Sequence, residues 1–340
     1  MLNKKQLKKL SDSKIVWYGA STLILAALVY AADFRQFVEA IIQVDLFYMS
    51  LAMIFGMSVF LVWGYVWHTF FKKLGINSNL KKSYKLFMAG NFMNSVTPLG
   101  QVGGEPFMAY IVSKNTGSSY EKSLSSVISS DLLNTIPNLT YTLVVITYIF
   151  LFGQVRSFYG KTIGILLALS FIVLGAGILL WRGNEYIESK IKILVDFIVS
   201  KSGMARKIYE TSYEKLVTVR KTFREAGEDR SHLIKTTAIS HLALPTQFIT
   251  LYLILLGLNV QPAFSEVIII VLLAGLAIFS PTPGGTGALE AALSGLLILF
   301  YPGIGLDVAA AAAVLFRLTT YWPGIPIGYA ALISLRREKE

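Results

Sequence analysis

Apolar residues along this chain fall in long blocks, not in the three-to-four-residue spacing of a surface helix. Six blocks reach the roughly 20 residues that a helix needs to cross bilayer hydrocarbon: 15–32, 46–71, 124–152, 162–181, 236–258 and 308–335. Two further blocks are interrupted. Block 83–113 is broken by Pro98-Leu99-Gly100-Gln101-Val102-Gly103-Gly104, and block 264–301 by Pro281-Thr282-Pro283-Gly284-Gly285-Thr286-Gly287. Proline removes an amide donor and glycine lacks a helix-favouring side chain, so each break should end a helix. The arms of the first block, about 13–15 residues, span roughly 20–22 Å, short of about 30 Å of hydrocarbon. Both blocks are expected to be re-entrant helical hairpins, the second with longer arms that could cross fully. The pattern predicts an all-α polytopic membrane protein with about six full transmembrane helices plus two re-entrant hairpins, roughly 8–10 membrane segments.

The polar residues fix an orientation. Of 31 Lys+Arg, 27 lie before the first block, after the second, around 114–122, between 182 and 235, or at the C-terminus. The opposite side holds Arg35, Arg156 and Lys161, while Arg317 lies inside a block. Basic loops stay cytoplasmic, so both termini are expected in the cytoplasm of a cell-membrane protein. A cleavage-like Val29-Tyr30-Ala31 offers a signal peptide as the alternative for the first block. Segment 182–235 carries the apolar stripe Ile187, Ile191, Leu194 and Ile198. It reads as an amphipathic insertion lying on the anionic inner leaflet, with a partner-docking role as the alternative.

Composition agrees. The chain is 54% hydrophobic and 15% charged, against about 25% charged in soluble domains. With 31 Lys+Arg to 20 Asp+Glu, its net charge is +11. In so apolar a chain that excess implies membrane lipids as partners, and no nucleic acid. The absence of cysteine excludes disulfides, thiol nucleophiles and zinc-thiolate sites. The three histidines have no metal-ligand spacing, and no metal or other cofactor is implied.

The two breaks repeat one another. Ser95, Thr97, Pro98, Gly100 and Glu105 match Ser280, Thr282, Pro283, Gly285 and Glu290 at a constant offset of 185. Asp131-Leu132 and Pro137 then correspond to Arg317-Leu318 and Pro323 at an offset of 186. Residues 1–158 and 159–340 therefore read as two repeats. By the span count, the first enters its hairpin from the cytoplasm and the second from outside. In such inverted repeats, interrupted helices meet near the midplane and form the substrate site.

Four charged residues sit there. Glu105 and Glu290 begin the helices after the breaks, where a carboxylate complements the helix dipole or binds a cationic headgroup or a proton. Arg317 is costly at membrane depth unless used. It suits a bidentate lipid-phosphate contact, or a structural pair with a glutamate or, at the equivalent repeat position, Asp131. The turn residues Thr97, Gly103 and Gly104, and Thr282, Gly284, Gly285 and Gly287, offer free N–H groups at helix starts, an anion site without the Lys of a nucleotide loop. Trp17, Trp67 and Trp181 fall where interfacial aromatics are expected.

Asn91-Phe92-x-Asn94-Ser95-x-Thr97-Pro98 running into Gly103-Gly104-Glu105-Pro106 resembles the first signature of the lysylphosphatidylglycerol synthase transmembrane family. Residues Pro281 to Glu290 resemble its second, and Phe316-Arg317-Leu318-Thr319-Thr320-Tyr321-Trp322 its third. The resemblance covers nearly the whole chain. It implies likeness to the flippase domain of the multiple peptide resistance factor, a translocator of aminoacylated phosphatidylglycerol. No synthase domain is expected in this chain. Family members often carry an arginine near the start of the span holding Asp131, where this chain reads Ser129-Ser130-Asp131.

The expected function is a lipid flippase or flippase-like transporter of a phospholipid or polyprenyl-phosphate-type lipid, possible as a homo-oligomer, and not an enzyme. The alternatives are an enzyme on lipid-linked substrates and a small-solute or ion transporter. Without a cysteine background, the topology is directly testable. Single cysteines at Glu39 and Ser157 should react with an impermeant thiol reagent from outside, and one at Ser212 only after permeabilisation. The reverse labelling would remove the inverted orientation of the repeats.

Overall fold

A computed structural model describes residue 19 and residues 21–96, 104–152, 229–280 and 282–338. Among these, every regular element is helical. The helices are α1 (Ser21–Ala31), α2 (Phe34–Ile42), α3 (Leu46–Lys73), α4 (Leu80–Val96), α5 (Glu105–Thr116), α6 (Tyr120–Phe152), α7 (Arg230–Ser240), α8 (Ala243–Gly257), α9 (Phe264–Gly275), α10 (Ala288–Phe300), α11 (Leu306–Thr320) and α12 (Gly324–Arg337). Short 3-10 turns at Leu276–Phe279 and Pro283–Gly285 lie between α9 and α10. Four stretches are long and apolar enough to cross a membrane: Leu46–Lys73, Arg230–Gly257, Pro283–Phe300 and Leu306–Arg337. The chain is an all-α, multi-pass membrane protein.

Local chemistry sets the helix starts. Asp45 caps α3 by accepting from the Phe47 and Tyr48 N–H groups at 2.8 and 3.3 Å, satisfying donors that no preceding turn can reach. Asp33 caps α2 and Asp229 caps α7 in the same way. Helix α2 is an element that block lengths did not predict. Its nine residues cannot span, yet Phe34, Phe37, Val38, Ile41 and Ile42 follow an amphipathic spacing, and Phe37 packs with Ala310 and Ala311 of α11.

Three expectations need correction. The second hairpin is not longer in both arms: α9 and α10 have 12 and 13 residues, against 17 and 12 for α4 and α5, although Pro283–Phe300 is long and apolar enough to cross. The blocks 236–258 and 308–335 are each divided, the first at His241-Leu242 and the second at Tyr321-Trp322-Pro323. Trp67 is not interfacial; it is wholly buried and packs edge-on to Phe71 and Phe87. Block 162–181 and most of the insertion 182–235 lie outside the described residues.

Packing is organised around α3 against α8 and α4 against α12, with α5 on α6 and α10 on α11. One core joins α8 to α11 through Phe248, Leu251, Ile270, Leu293 and Phe316; a second joins α3, α4 and α5 through Trp67, Phe70, Leu86 and Val112. On α11, Ala309 through Ala313 are all fully buried. Contacts sort the helix ends into two faces. The Asp45 N–H donates to the Gly257 carbonyl at 2.9 Å on one. On the other, Lys73 pairs with Asp229 at 2.8 Å and Lys85 with Glu338. The Lys73 ammonium, hydrogen-bonded to Asp229, holds that carboxyl down to about 2. Its stabilisation is present above the ordinary Asp value and fades only as pH falls through about 2.

Close approach of α3 to α11 depends on Gly56, where a Cβ would lie 2.8 Å from the Thr319 carbonyl oxygen. That neighbour is backbone and cannot swing away. Gly56→Ala should therefore cost about 1–3 kcal/mol and lower the thermal midpoint in detergent. Gly295, with nothing within 4 Å of a Cβ, is the control: Gly295→Ala should be neutral or stabilising by up to about 1 kcal/mol through helix propensity.

Candidate functional site

The second break folds into a compact turn because its glycines reach backbone conformations closed to other residues. Gly284 has φ 57° and Gly287 φ 85°; at Gly284 a Cβ would also enter the space of the Tyr321 ring. The turn uses its own donors: Gly285 N–H to the Thr282 carbonyl and Thr286 N–H to the Pro283 carbonyl, both at 3.1 Å. Thr282 is buried, its hydroxyl 2.8 Å from that of Ser280. The Gly287 N–H donates to Glu290 Oε2 at 2.8 Å. The anion at this helix N-terminus is thus the Glu290 carboxylate, one half of a capping box.

Arg317, on α11, completes the arrangement. Its Nε donates to Glu290 Oε1 at 3.3 Å and its Nη2 to the Gly284 carbonyl at 2.7 Å, with Thr286 Oγ1 at 3.4 Å. The guanidinium lies 3.5 Å from the centre of the Tyr321 ring, a cation–π stack. Arg317 is 3% and Glu290 1% exposed. The expectation that Asp131 is the best partner for Arg317 is corrected: the pair is Glu290–Arg317. The reason is geometric, since α10 and α11 pack side by side and Glu290 in the first turn of α10 faces Arg317. These contacts also engage Arg317 with protein groups, leaving less of its donor set for a lipid phosphate than sequence alone implied.

Tyr321 extends the site to the first hairpin. Its hydroxyl donates to the Ser95 carbonyl at 3.2 Å, in the last turn of α4, and the Pro283–Gly285 turn packs on the same helix. The second break and Tyr321 therefore meet the end of α4. Thr97 and Gly103 lie outside the described residues. Gly104 precedes α5 with no side-chain cap, and a Cβ there would lie 2.5 Å from Asn94 Oδ1. Glu105 follows in the first turn of α5, and Asp131 on α6 is within its electrostatic reach.

Of the buried side-chain polar atoms without a hydrogen bond among the described residues, Trp67 Nε1, Asn94 Oδ1 and the hydroxyls of Ser125, Ser126 and Ser129 lie in this half, and His232 Nε2 lies on α7. Trp67, Asn94 and Tyr321 are site residues that the sequence reading missed as such. For Asn94 a signal existed, because it stands inside the first motif. For Trp67 none did, since its position on a predicted interface explained it well enough. His68 is a structural residue, bonded to Ser83 at 3.0 Å, and His241 Nδ1 lies 2.7 Å from the Thr237 carbonyl.

The described residues thus make a helical membrane protein with a buried Glu290–Arg317 ion pair beside a glycine-rich turn. Residues 15–328 match the family described as the lysylphosphatidylglycerol synthase TM region, and the chain belongs to that family. It is similar to a UPF0104 membrane protein of Pyrococcus horikoshii, 24% identical over 82% of this chain and 84% of that one. A UPF0104 membrane protein of Methanothermobacter thermautotrophicus is 24% identical over 85% of this chain and 84% of its own length. Another, of Methanocaldococcus jannaschii, is 30% identical over 43% of each chain.

A buried pair broken on one side leaves a charge without a partner, so Arg317→Gln or Glu290→Gln alone should cost about 3–5 kcal/mol. The double Glu290→Gln/Arg317→Gln change should recover much of that. Asp131→Asn added to Arg317→Gln should recover none. Thermal midpoints of the four variants in detergent check this; rescue by Asp131→Asn would restore the Asp131 pairing.

Proposed function

We propose that this protein is a flippase-like transporter that moves a phospholipid or polyprenyl-phosphate-type lipid between leaflets of the cell membrane, with both termini cytoplasmic. Family membership supports the class. The observation that carries the reading is the contact of the Pro283–Gly285 turn and Tyr321 with the end of α4, with Arg317 and Glu290 buried against that turn and Glu105 at the start of α5. Polar groups at such depth are expensive unless they serve a substrate path.

An inverted repeat is part of the proposal, and the packing supports it. Exchanging α3 with α7–α8, α4 with α9, α5 with α10, and α6 with α11–α12 maps each principal contact onto another: α3·α4 onto α8·α9, α5·α6 onto α10·α11, α4·α12 onto α9·α6. Repeats related in this way exchange roles when a carrier alternates its access. The basic loops and the insertion 182–235 then face anionic lipids of the inner leaflet.

The test is reconstitution into vesicles carrying a headgroup-accessible fluorescent phospholipid, with an impermeant quencher added outside. Active protein should make the inner-leaflet probe quenchable, and Glu105→Gln should slow that at least tenfold with the fold intact. Quenching confined to the outer leaflet for anionic, zwitterionic and polyprenyl-phosphate probes alike would sink the proposal. Chemical conversion of any of these lipids would point to the enzyme reading.

A further inference from the structure

Among the described residues, the buried charged side chains are Glu290 and Arg317. Glu290 and Arg317 form an ion pair. The residues at the corresponding repeat positions are Glu105 and Asp131, so the first half sets a carboxyl opposite a carboxyl. Among the described residues, no ion pair joins either to a cation. Among the described residues, the helices that pack most on α6 are α3, α5, α7 and α9, and of their groups Glu105 and Trp67 act on Asp131. Lys73 is turned to Asp229 and Lys85 of the adjoining α4 to Glu338. His232 stands against Phe70 and Lys73, and Glu266 against Tyr301.

A second observation points the same way. The indole N–H of Trp67 is wholly buried and makes no hydrogen bond, yet it faces the Asp131 carboxyl closely enough to act on it. A donor held at that position matches a carboxylate oxygen, and an unsatisfied one at full burial is destabilising unless a partner is recruited. Asn94, unpartnered at Oδ1, flanks Glu105 through its contact with Gly104. Glu105 and Asp131 are half-buried; neighbouring like charges in a low-dielectric setting repel, and one proton between them removes the conflict.

We propose that Glu105 and Asp131 together form a site for one exchangeable proton, with Trp67 holding the ionised oxygen, and that this proton is the coupling ion of the carrier. The coupling role rests on the transporter reading; the proton site does not. Taking up the proton changes the pair from two negative charges to one, the sort of change that biases one arrangement of a hairpin over another. The matching position in the second repeat carries its positive charge permanently on Arg317, so only the first repeat responds to pH.

Infrared difference spectra of the full chain in phosphatidylcholine nanodiscs, stepped from acid to alkaline pH, test the site without any transport. A protonated-carboxyl band should be present at neutral pH and disappear at alkaline pH. It should be lost in Asp131→Asn and in Glu105→Gln, and should shift in the unmutated protein when aspartate is carbon-13 labelled. The label needs no variant, so misfolding of either substitution does not decide the result. Absence of a label-sensitive band overturns the proposal. So does release of the proton when sodium or magnesium is added, which would make this a metal-cation site. If the band behaves as expected but vesicle quenching is unaffected by a pH gradient, the proton site stands and its coupling role falls.

Discussion

A guanidinium at membrane depth must be matched by acceptors, and most of the site follows from that constraint at Arg317. Desolvating a cation costs several kcal/mol even after relaxation. The protein answers with the Glu290 carboxylate, the Gly284 carbonyl and the face of Tyr321. Each answer constrains something else. The Gly284 carbonyl points at Arg317 only with a left-handed backbone, and Tyr321 reaches it only if residue 284 lacks a side chain. Glu290 serves Arg317 with one oxygen and the start of α10 with the other. Tyr321, pinned beneath the guanidinium, presents its hydroxyl to the end of α4. One charge thereby ties α11, the second break and the end of α4 into one assembly.

Under the repeat proposed above, the halves of the chain share a scaffold and differ in chemistry. One is electrically closed: cation, anion and dipoles satisfy one another. The other holds acids and unpaired donors. Two identical halves could both be closed, which gives a rigid protein, or both open, which gives an unstable one. A closed half that braces an open one allows polar groups to remain available without the whole fold depending on them.

Much of the architecture was legible because membrane physics is blunt. Apolar block length and Gly/Pro interruption located α3, α6 and the helices that flank both interruptions. Divisions within blocks were not legible where hydropathy continues, as at His241-Leu242. Proline alone did not decide either: Pro137 sits inside continuous α6, while Pro323, its repeat counterpart, follows a break. The charged site residues announced themselves by rarity. Their pairing did not, because repeat symmetry offered Asp131 to Arg317, whereas contact between α10 and α11 favoured Glu290. Trp67 was hidden by its type, since a tryptophan near a helix end is ordinary at an interface and a core position can be recognised only once neighbouring helices are in place.

The alanine run of α11 has a consequence for motion. Large side chains lock neighbouring helices like teeth, so axial displacement requires unmeshing them. Ala309 to Ala313 present a nearly smooth cylinder to α2 and to the neighbouring core. Such a surface packs tightly but resists sliding weakly, and its axial register must be set elsewhere. Arg317, about one turn beyond Ala313 on the same helix, supplies that stop. A helix that is slick along its length and detented at one polar point has discrete resting positions, separated by the breaking and remaking of a few directional contacts.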